Sequence, residues 1–395
     1  CRSLIDEGYT FDPYGAHILF SKDQSILDLE KKLMGENLKT RYRINKVFLN
    51  GKIVKYPFEN DLGSLNKEDT YECLYYYLNN DYPKPKNLQE WFYYTFGKGI
   101  AEKYLIPYNN KIWKTNPKDM GMEWVERIPK PPKEDIIKSA LNIPTEGYKH
   151  QLNFLYPEIG GVEALIDAFA KHNKGIITKN FNIDGIYFEN NTWTITGGDQ
   201  TKKYKNIVST IPIFDLFKFL KNIKIPKKVT QALNALEYRP LITVMLGLDT
   251  PKLNDYTAVY FPDQDFLPHR ISFPPNFSPM TVPQNRFSLM AEITVPKDNS
   301  YFKMSDEEIY KNVIDGLIKR KMIKPGSVVY KKMDKIKYAY PVYSLDYKKN
   351  MKIIKDFLAS INIDICGRFG GFEYINSDVC INQGRQVAEK LNSQQ

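Results

Sequence analysis

Residues 364–391 read "DICGRFGGFEYINSDVCINQGRQVAEKL". A short strand-like run leads into a turn built on Gly367, Gly370 and Gly371, and a helical stretch opens near Asp378. A strand that passes through a glycine-rich turn into a helix aims backbone N–H groups and a helix dipole at one point, which suits phosphate. The same residues suit an ordinary tight turn in which glycine supplies positive φ. No GxGxxG occurs in the chain, and Gly97-Lys98-Gly99 lacks the third glycine and sits in a helical context.

Upstream, "GGVEALIDAFAKH" (160–172) places Val162, Leu165, Ile166 and Phe169 on one helical face behind a glycine pair. Four strand candidates follow, "GIITKNF", "GIYFE", "TWTIT" and "KNIVSTIP", the last ended by Pro212 and followed by a helix. Residues 240–295 are strand-rich ("PLITVMLGLD", "TAVYF", "HRISF", "RFSLMAEITV"), then come an amphipathic helix near 305–321 and a strand near 327–338. Nearer the start, "QSILDLEKKLM" (24–34) has helical spacing, and "RINKVFLNGKIVKYPF" switches to strands about Asn50-Gly51, a strong hairpin signal. Residues 64–147 read helical and aromatic, and within them the prolines of "IPKPPKEDIIKSALNIP" predict a loop or linker.

At 395 residues the chain can bury a large core, and its length suggests two or three domains. Cys1, Cys73, Cys366 and Cys380 show neither CxxC spacing nor a partner histidine pattern. That predicts no metal site, no disulfide framework and a reducing, cytoplasmic setting. Polar residues interrupt every candidate run of about 18 apolar residues, so no membrane span is predicted. The net charge of +10 is scattered over many lysines without a basic block. This argues against nucleic acid and suits an anionic small molecule, while a solvated surface accounts for most single lysines.

In sequence order, "YGAHILF", "GKIVKYPFEND", "IPYNNKIW", "GGVEAL", "IVSTIP", "LPHRISFPPNFSP" and "GRFGGFEYINSD" resemble segments of the UDP-galactopyranose mutase group, within the amine oxidase and protoporphyrinogen oxidase superfamily. The resemblance covers nearly the whole chain. It implies an α/β fold with three parts: a Rossmann-type FAD-binding domain from 1–35, 148–212 and 346–395, a helical domain at 64–147, and an antiparallel β-sheet substrate domain from 36–63 and 213–345. In that family a βαβ unit with GxGxxG precedes a sequence like Cys1-Arg2-Ser3. The Rossmann-type domain is therefore expected to be incomplete at its N-terminal side, by roughly 40 residues.

The resemblance further implies FAD, reduced for the mutase, and a nucleotide-sugar substrate, with no nucleic acid or membrane span and a homo-oligomer left open. Arg270 would grip the substrate diphosphate with its planar charged fork, and Tyr340 and Tyr374 would reach it through their hydroxyls; these three would carry catalysis. Tyr108, Lys111 and Trp113 keep the spacing of a segment whose tyrosine stacks on uracil and whose tryptophan lines the sugar pocket. Arg2, Ser3, His17, Gly367, Arg368 and Asp378 resemble flavin-contacting positions.

Each has a plainer reading: Arg270 as a strand-end arginine with apolar strand partners, the aromatics as core, His17 as a packed histidine and Asp378 as an N-cap. One position departs from the family. Leu155 stands where mutases often carry a second diphosphate arginine, a loss on the order of 1.5–3 kcal/mol, roughly ten- to a hundredfold in affinity. The expected activity is pyranose/furanose interconversion of a UDP-sugar. The alternatives are an FAD-dependent oxidoreductase of the amine oxidase or protoporphyrinogen oxidase type, which Leu155 suits, and a non-catalytic scaffold.

Overall fold

The structure is a computed structural model that describes residues 1–15, 17–145, 152–173 and 177–393. In chain order the first elements are β1 (Leu4–Asp6), β2 (Tyr9–Phe11), α1 (Gln24–Met34), β3 (Leu38–Tyr42), β4 (Asn45–Leu49) and β5 (Lys52–Lys55). A helical stretch follows, with α2 (Lys67–Leu78), α3 (Leu88–Ile100), α4 (Ile106–Trp113) and α5 (Lys133–Ala140). Then come β6 (Asn153–Pro157), α6 (Glu163–His172), β7 (Gly185–Glu189), β8 (Thr192–Gly197), β9 (Gln200–Tyr204), β10 (Ile207–Ser209), α7 (Ile213–Phe219) and α8 (Lys227–Asn234). The remainder comprises β11 (Glu237–Leu248), β12 (Ala258–Tyr260), β13 (Arg270–Ser272), β14 (Phe287–Thr294), α9 (Asp306–Lys319), β15 (Val328–Val342), α10 (Tyr347–Ser360), β16 (Ile363–Ile365) and α11 (Ser377–Asn392).

Contacts divide the chain into two compact units. The first holds 1–20, 30–167 and 239–340, so the helical stretch 64–147 belongs with the sheet. Its seven-stranded sheet runs β15-β11-β14-β13-β12-β4-β5. The expectation of an antiparallel sheet needs one correction: β12 and β4 pair in parallel. They come from distant segments, so no hairpin turn forces them antiparallel. The β4–β5 hairpin turns at Asn50 and Gly51, with φ of 50° and 79°, the left-handed pair that a two-residue turn demands.

Alternate residues of β11 and β14 (Ile242, Val244, Leu246 and Leu248; Phe287, Leu289, Ala291 and Ile293) build one core with Ile309, Val313 and Leu317 of α9. A capping box at Ser305 and Glu308 starts that helix. Helices α2 and α3 are capped by Asn66 and Asn87 and approach unusually closely. A Cβ on Gly99 would lie 2.6 Å from Cys73 Cα, and one on Gly97 2.2 Å from the Tyr76 carbonyl oxygen. Gly97 also has φ of 71° and breaks the helical run. The Gly97-Lys98-Gly99 spacing is thus a packing device.

The second unit holds 21–29, 168–238 and 341–395. Its parallel pair β10–β16 feeds α7 and α11, strand into helix, as a Rossmann-type layer requires. A separate meander β7-β8-β9 completes it.

Several expectations are corrected. The proline-rich stretch is not all linker, because α5 begins directly after Pro132, with Glu134 and Asp135 in its first turn and Ile136 and Ala140 buried. Of "GIITKNF", residues 175 and 176 lie outside the described residues and 177–181 form no strand, whereas β9 was not foreseen, nor were α8 and α10. On α6, Val162 and Leu165 are buried but Ile166 is exposed. The N-cap of α11 is Asn376, not Asp378. All four cysteines are free, and no described helix is long and apolar enough to cross a membrane.

Gly99→Ala should lower stability by about 1–3 kcal/mol through overpacking. Gly97→Ala should cost more, since it adds left-handed strain. Urea denaturation of the two variants measures both, and unchanged midpoints would remove the close α2–α3 approach as a determinant.

Candidate active site

The period of two that puts Ile242, Val244 and Leu246 into the α9 core puts Thr243, Met245 and Gly247 on the opposite face. Register then extends this face across the sheet. Thr243 opposes Glu292, Glu292 opposes Arg270, and Arg270 opposes Tyr260. These four form one transverse row on β11, β14, β13 and β12. The face is polar yet buried: Thr243, Ser272, Ser288, Glu292 and Thr294 are each at most 1% exposed. The hydroxyls of Thr243, Ser272, Ser288 and Thr294 have no hydrogen-bond partner among the described residues.

Within the row, Arg270 Nε and Nη2 donate to Glu292 Oε1 and Oε2 at 2.8 and 2.7 Å. The Arg270 side chain keeps 22% exposure and the Glu292 side chain none. Arg270 therefore does not have apolar strand partners as expected; a fully buried carboxylate requires a cation opposite it. Burial opposes the guanidinium charge, but Glu292 outweighs it and holds the Arg270 pKa well above its ordinary value. Tyr340 OH donates to Glu292 Oε2 at 3.2 Å. The turn at Gly15 lies against the pair, where a Cβ would be 3.4 Å from Arg270 Nη2.

Helix α4 supplies an aromatic group in the same unit. Tyr108, half-buried, packs on Tyr104, Tyr260 and His269, with its hydroxyl 3.5 Å from His269 Nδ1. His269 is 1% exposed and its Nε2 has no hydrogen-bond partner among the described residues. Burial, then the Arg270 and Lys111 charges, push its pKa well below the usual range, so it is neutral. Trp113 is fully buried and donates to Asn109 Oδ1 at 3.0 Å. Its role is thus at one remove from any pocket surface, with its edge toward Tyr340 at 6.1 Å between centroids. Lys111, 2% exposed, donates to the Asp263 carbonyl at 2.5 Å, and burial pushes its pKa down to about 7. Arg239 Nε holds the end of α4 through the Trp113 carbonyl at 2.8 Å.

The N-terminal residues form a second buried network. Asp12 accepts from Ser3 Oγ at 2.7 Å, Tyr156 OH at 2.8 Å and Val162 N at 3.1 Å, and Ser3 Oγ accepts from Glu163 N at 3.1 Å. Gly161, with φ of 63°, must be glycine here, since a Cβ would lie 2.3 Å from Ser3 Oγ. Ser3 is therefore committed to the fold at the head of α6, while Arg2 is exposed and His17 half-buried. Leu155, on β6, pairs with Thr40 of β3 and bridges to Leu19.

In the second unit the tail turn closes on itself, Gly371 N to Gly367 O and Glu373 N to Arg368 O, both 2.8 Å. Arg368 stacks on Tyr374 at 4.3 Å from the ring centroid and donates to the Ile375 carbonyl at 2.9 and 2.8 Å. Gly367 has φ of 80° with open space where a side chain would stand. Asp378 Oδ1 is buried with no hydrogen-bond partner among the described residues. An orphaned carboxylate oxygen beside a turn open to close approach fits a bound group that offers a donor there.

Glu292, Asp12 and Tyr156 were not anticipated as functional positions. The available signal was a lone carboxylate in the otherwise uncharged strand "FSLMAEIT".

Residues 120–345 match the family described as flavin containing amine oxidoreductase. The chain also aligns with the crystal structure of reduced UDP-galactopyranose mutase at a TM-score of 0.90 and 25% identity, covering 100% of this chain and 87% of that one. A protein assigned as a protoporphyrinogen oxidase, from Exiguobacterium sp. 255-15, aligns at 0.74 with 15% identity over 100% and 90%. A CLA-producing fatty acid isomerase from P. acnes aligns at 0.64 with 13% identity over 98% and 89%.

Burial raises Asp12 from 3.8 to about 6, against the pull of Ser3, Tyr156 and Val162. A raised native pKa contributes stability in full below the unfolded value and loses it as pH rises through about 6. Stability should therefore fall between these limits by an Asp12 contribution on the order of 3 kcal/mol. Asp12→Asn, in which Tyr156 OH can turn to accept, should flatten that slope; an identical pH profile would show that Asp12 is not the titrating group.

Proposed function

The chain belongs to the flavin containing amine oxidoreductase family, and from that premise we propose that it is an FAD-dependent mutase interconverting the pyranose and furanose forms of a UDP-sugar. The observation that carries this reading is the full-length likeness, at a TM-score of 0.90, to reduced UDP-galactopyranose mutase. The family implies FAD. Gly367, Arg368 and Asp378 would hold it in the tail; when bound in reduced form it supplies the nucleophile that the anomeric carbon requires.

This chain's own residues would bind and hold the leaving group. Arg270 keeps the Nη1–Nη2 end of its fork free of Glu292, so a diphosphate can be met there by two N–H donors. Charge that gathers on the departing diphosphate would be stabilised by this preorganised cation. The half-buried Tyr108 ring offers a stacking face for the base. Neutral His269 contributes no competing charge, and its unpaired Nε2 offers a donor or acceptor. Trp113 would support the wall from behind.

A second reading, an FAD-dependent oxidoreductase, is favoured by Leu155, which removes a cation, and by Glu292, which offsets the charge of Arg270. Dithionite separates the two. A mutase interconverts UDP-galactopyranose and UDP-galactofuranose only after reduction and consumes no acceptor; stoichiometric oxygen consumption with an amine substrate would overturn the mutase reading.

Arg270→Lys tests the grip more cleanly than Arg270→Ala, which would strand the buried Glu292 charge. Loss of the fork should weaken UDP binding roughly ten- to a hundredfold, measured by calorimetry. Unchanged affinity in the folded variant would remove Arg270 from this role.

A further inference from the structure

Glu292 is more than a counter-charge. An arginine presents two forks, Nε with Nη2 and Nη1 with Nη2, and the first is filled by Glu292 Oε1 and Oε2. The carboxylate is fully buried and sits opposite Arg270 in the β13–β14 register, so leaving the guanidinium would strand a buried charge. The Tyr340 hydroxyl spends its single proton on Glu292 Oε2. Toward any further group that oxygen is an acceptor.

Building on the mutase reading, we infer that Glu292 is a positioning residue that presents only the end fork of Arg270 to the diphosphate and turns Tyr340 toward a ligand hydroxyl rather than a phosphate oxygen. Its negative charge weakens ground-state attraction for the anion, while its two hydrogen bonds hold the guanidinium where the leaving group's charge develops. Affinity is traded for orientation, and orientation is what acts in the transition state. Gln in its place would remove the charge and one acceptor, freeing Arg270 to turn.

The test compares full-length wild type and Glu292→Gln, loaded with FAD. UDP affinity is measured by calorimetry, turnover with UDP-galactofuranose, and exchange of the Arg270 Nε–H by NMR without nucleotide. Glu292→Gln should bind UDP as tightly as wild type or up to about tenfold more tightly, turn over at least tenfold more slowly, and exchange that proton at least tenfold faster. Parallel loss of affinity and turnover, or unchanged turnover, would overturn the inference.

If Glu292→Gln does not fold, Glu292→Asp keeps the charge but withdraws the carboxylate by one methylene. It should leave UDP affinity within threefold and lower turnover at least tenfold; any other pair of results counts against Glu292. Should wild type itself not bind UDP, the mutase reading fails, while the Nε–H exchange still decides whether Glu292 holds Arg270.

Discussion

Two central strands, β11 and β14, buried on both faces, with one face apolar and the other setting Thr243, Ser288, Glu292 and Thr294 beside Met245 and Met290, are the constraint on which this structure depends. The apolar face is served by α9, which fills it with Ile309, Val313 and Leu317. The polar face cannot be served that way. A carboxylate as deeply buried as Glu292 is tolerable only with a cation in hydrogen-bonded contact, and Arg270 on the neighbouring strand meets that need at 2.7–2.8 Å. The hydroxyls of Thr243, Ser272, Ser288 and Thr294 have no hydrogen-bond partner among the described residues. Such groups cost about 1–3 kcal/mol each when unmatched.

Other parts of the first unit brace that face. The β1–β2 hairpin lays Tyr9 and Phe11 over Met245 and Met290, and the turn that follows brings Gly15 against the arginine–glutamate pair. The segment is tied down by Asp12, whose carboxylate gathers the Ser3 and Tyr156 hydroxyls and the Val162 amide just before α6. Helix α4 is fixed independently, by Arg239 at its end and by the buried Lys111 at its middle. Tyr108, His269 and Tyr340 thus stand on rigid elements, the condition for holding a reacting group in orientation.

The same scaffold accommodates structures described as a sugar mutase, an oxidase and a fatty acid isomerase. Architecture alone therefore does not select the reaction. What this chain shows locally is a carboxylate, Glu292, that engages one whole edge of Arg270 and so offsets its charge.

Much of the secondary structure could be read from the chain. Asn50-Gly51 specifies a left-handed two-residue turn wherever it occurs between strands, and the apolar runs of 240–295 are too β-branched and too regular to be otherwise. α5 was obscured because prolines that end one element also begin another. The family resemblance singled out Arg270, Tyr108 and Trp113 as candidates, but not their surroundings. That Trp113 is fully buried, that Ser3 serves Asp12, and that Tyr340 gives its proton to Glu292 are consequences of register and packing that composition does not show. The sequence by itself determined which residues alternate inward and outward along each strand, because that period is intrinsic to the extended backbone. Only the tertiary structure decided which strands became neighbours, and hence that a lone glutamate on β14 faces the arginine on β13, because cross-strand pairing is set by the whole sheet rather than by either strand.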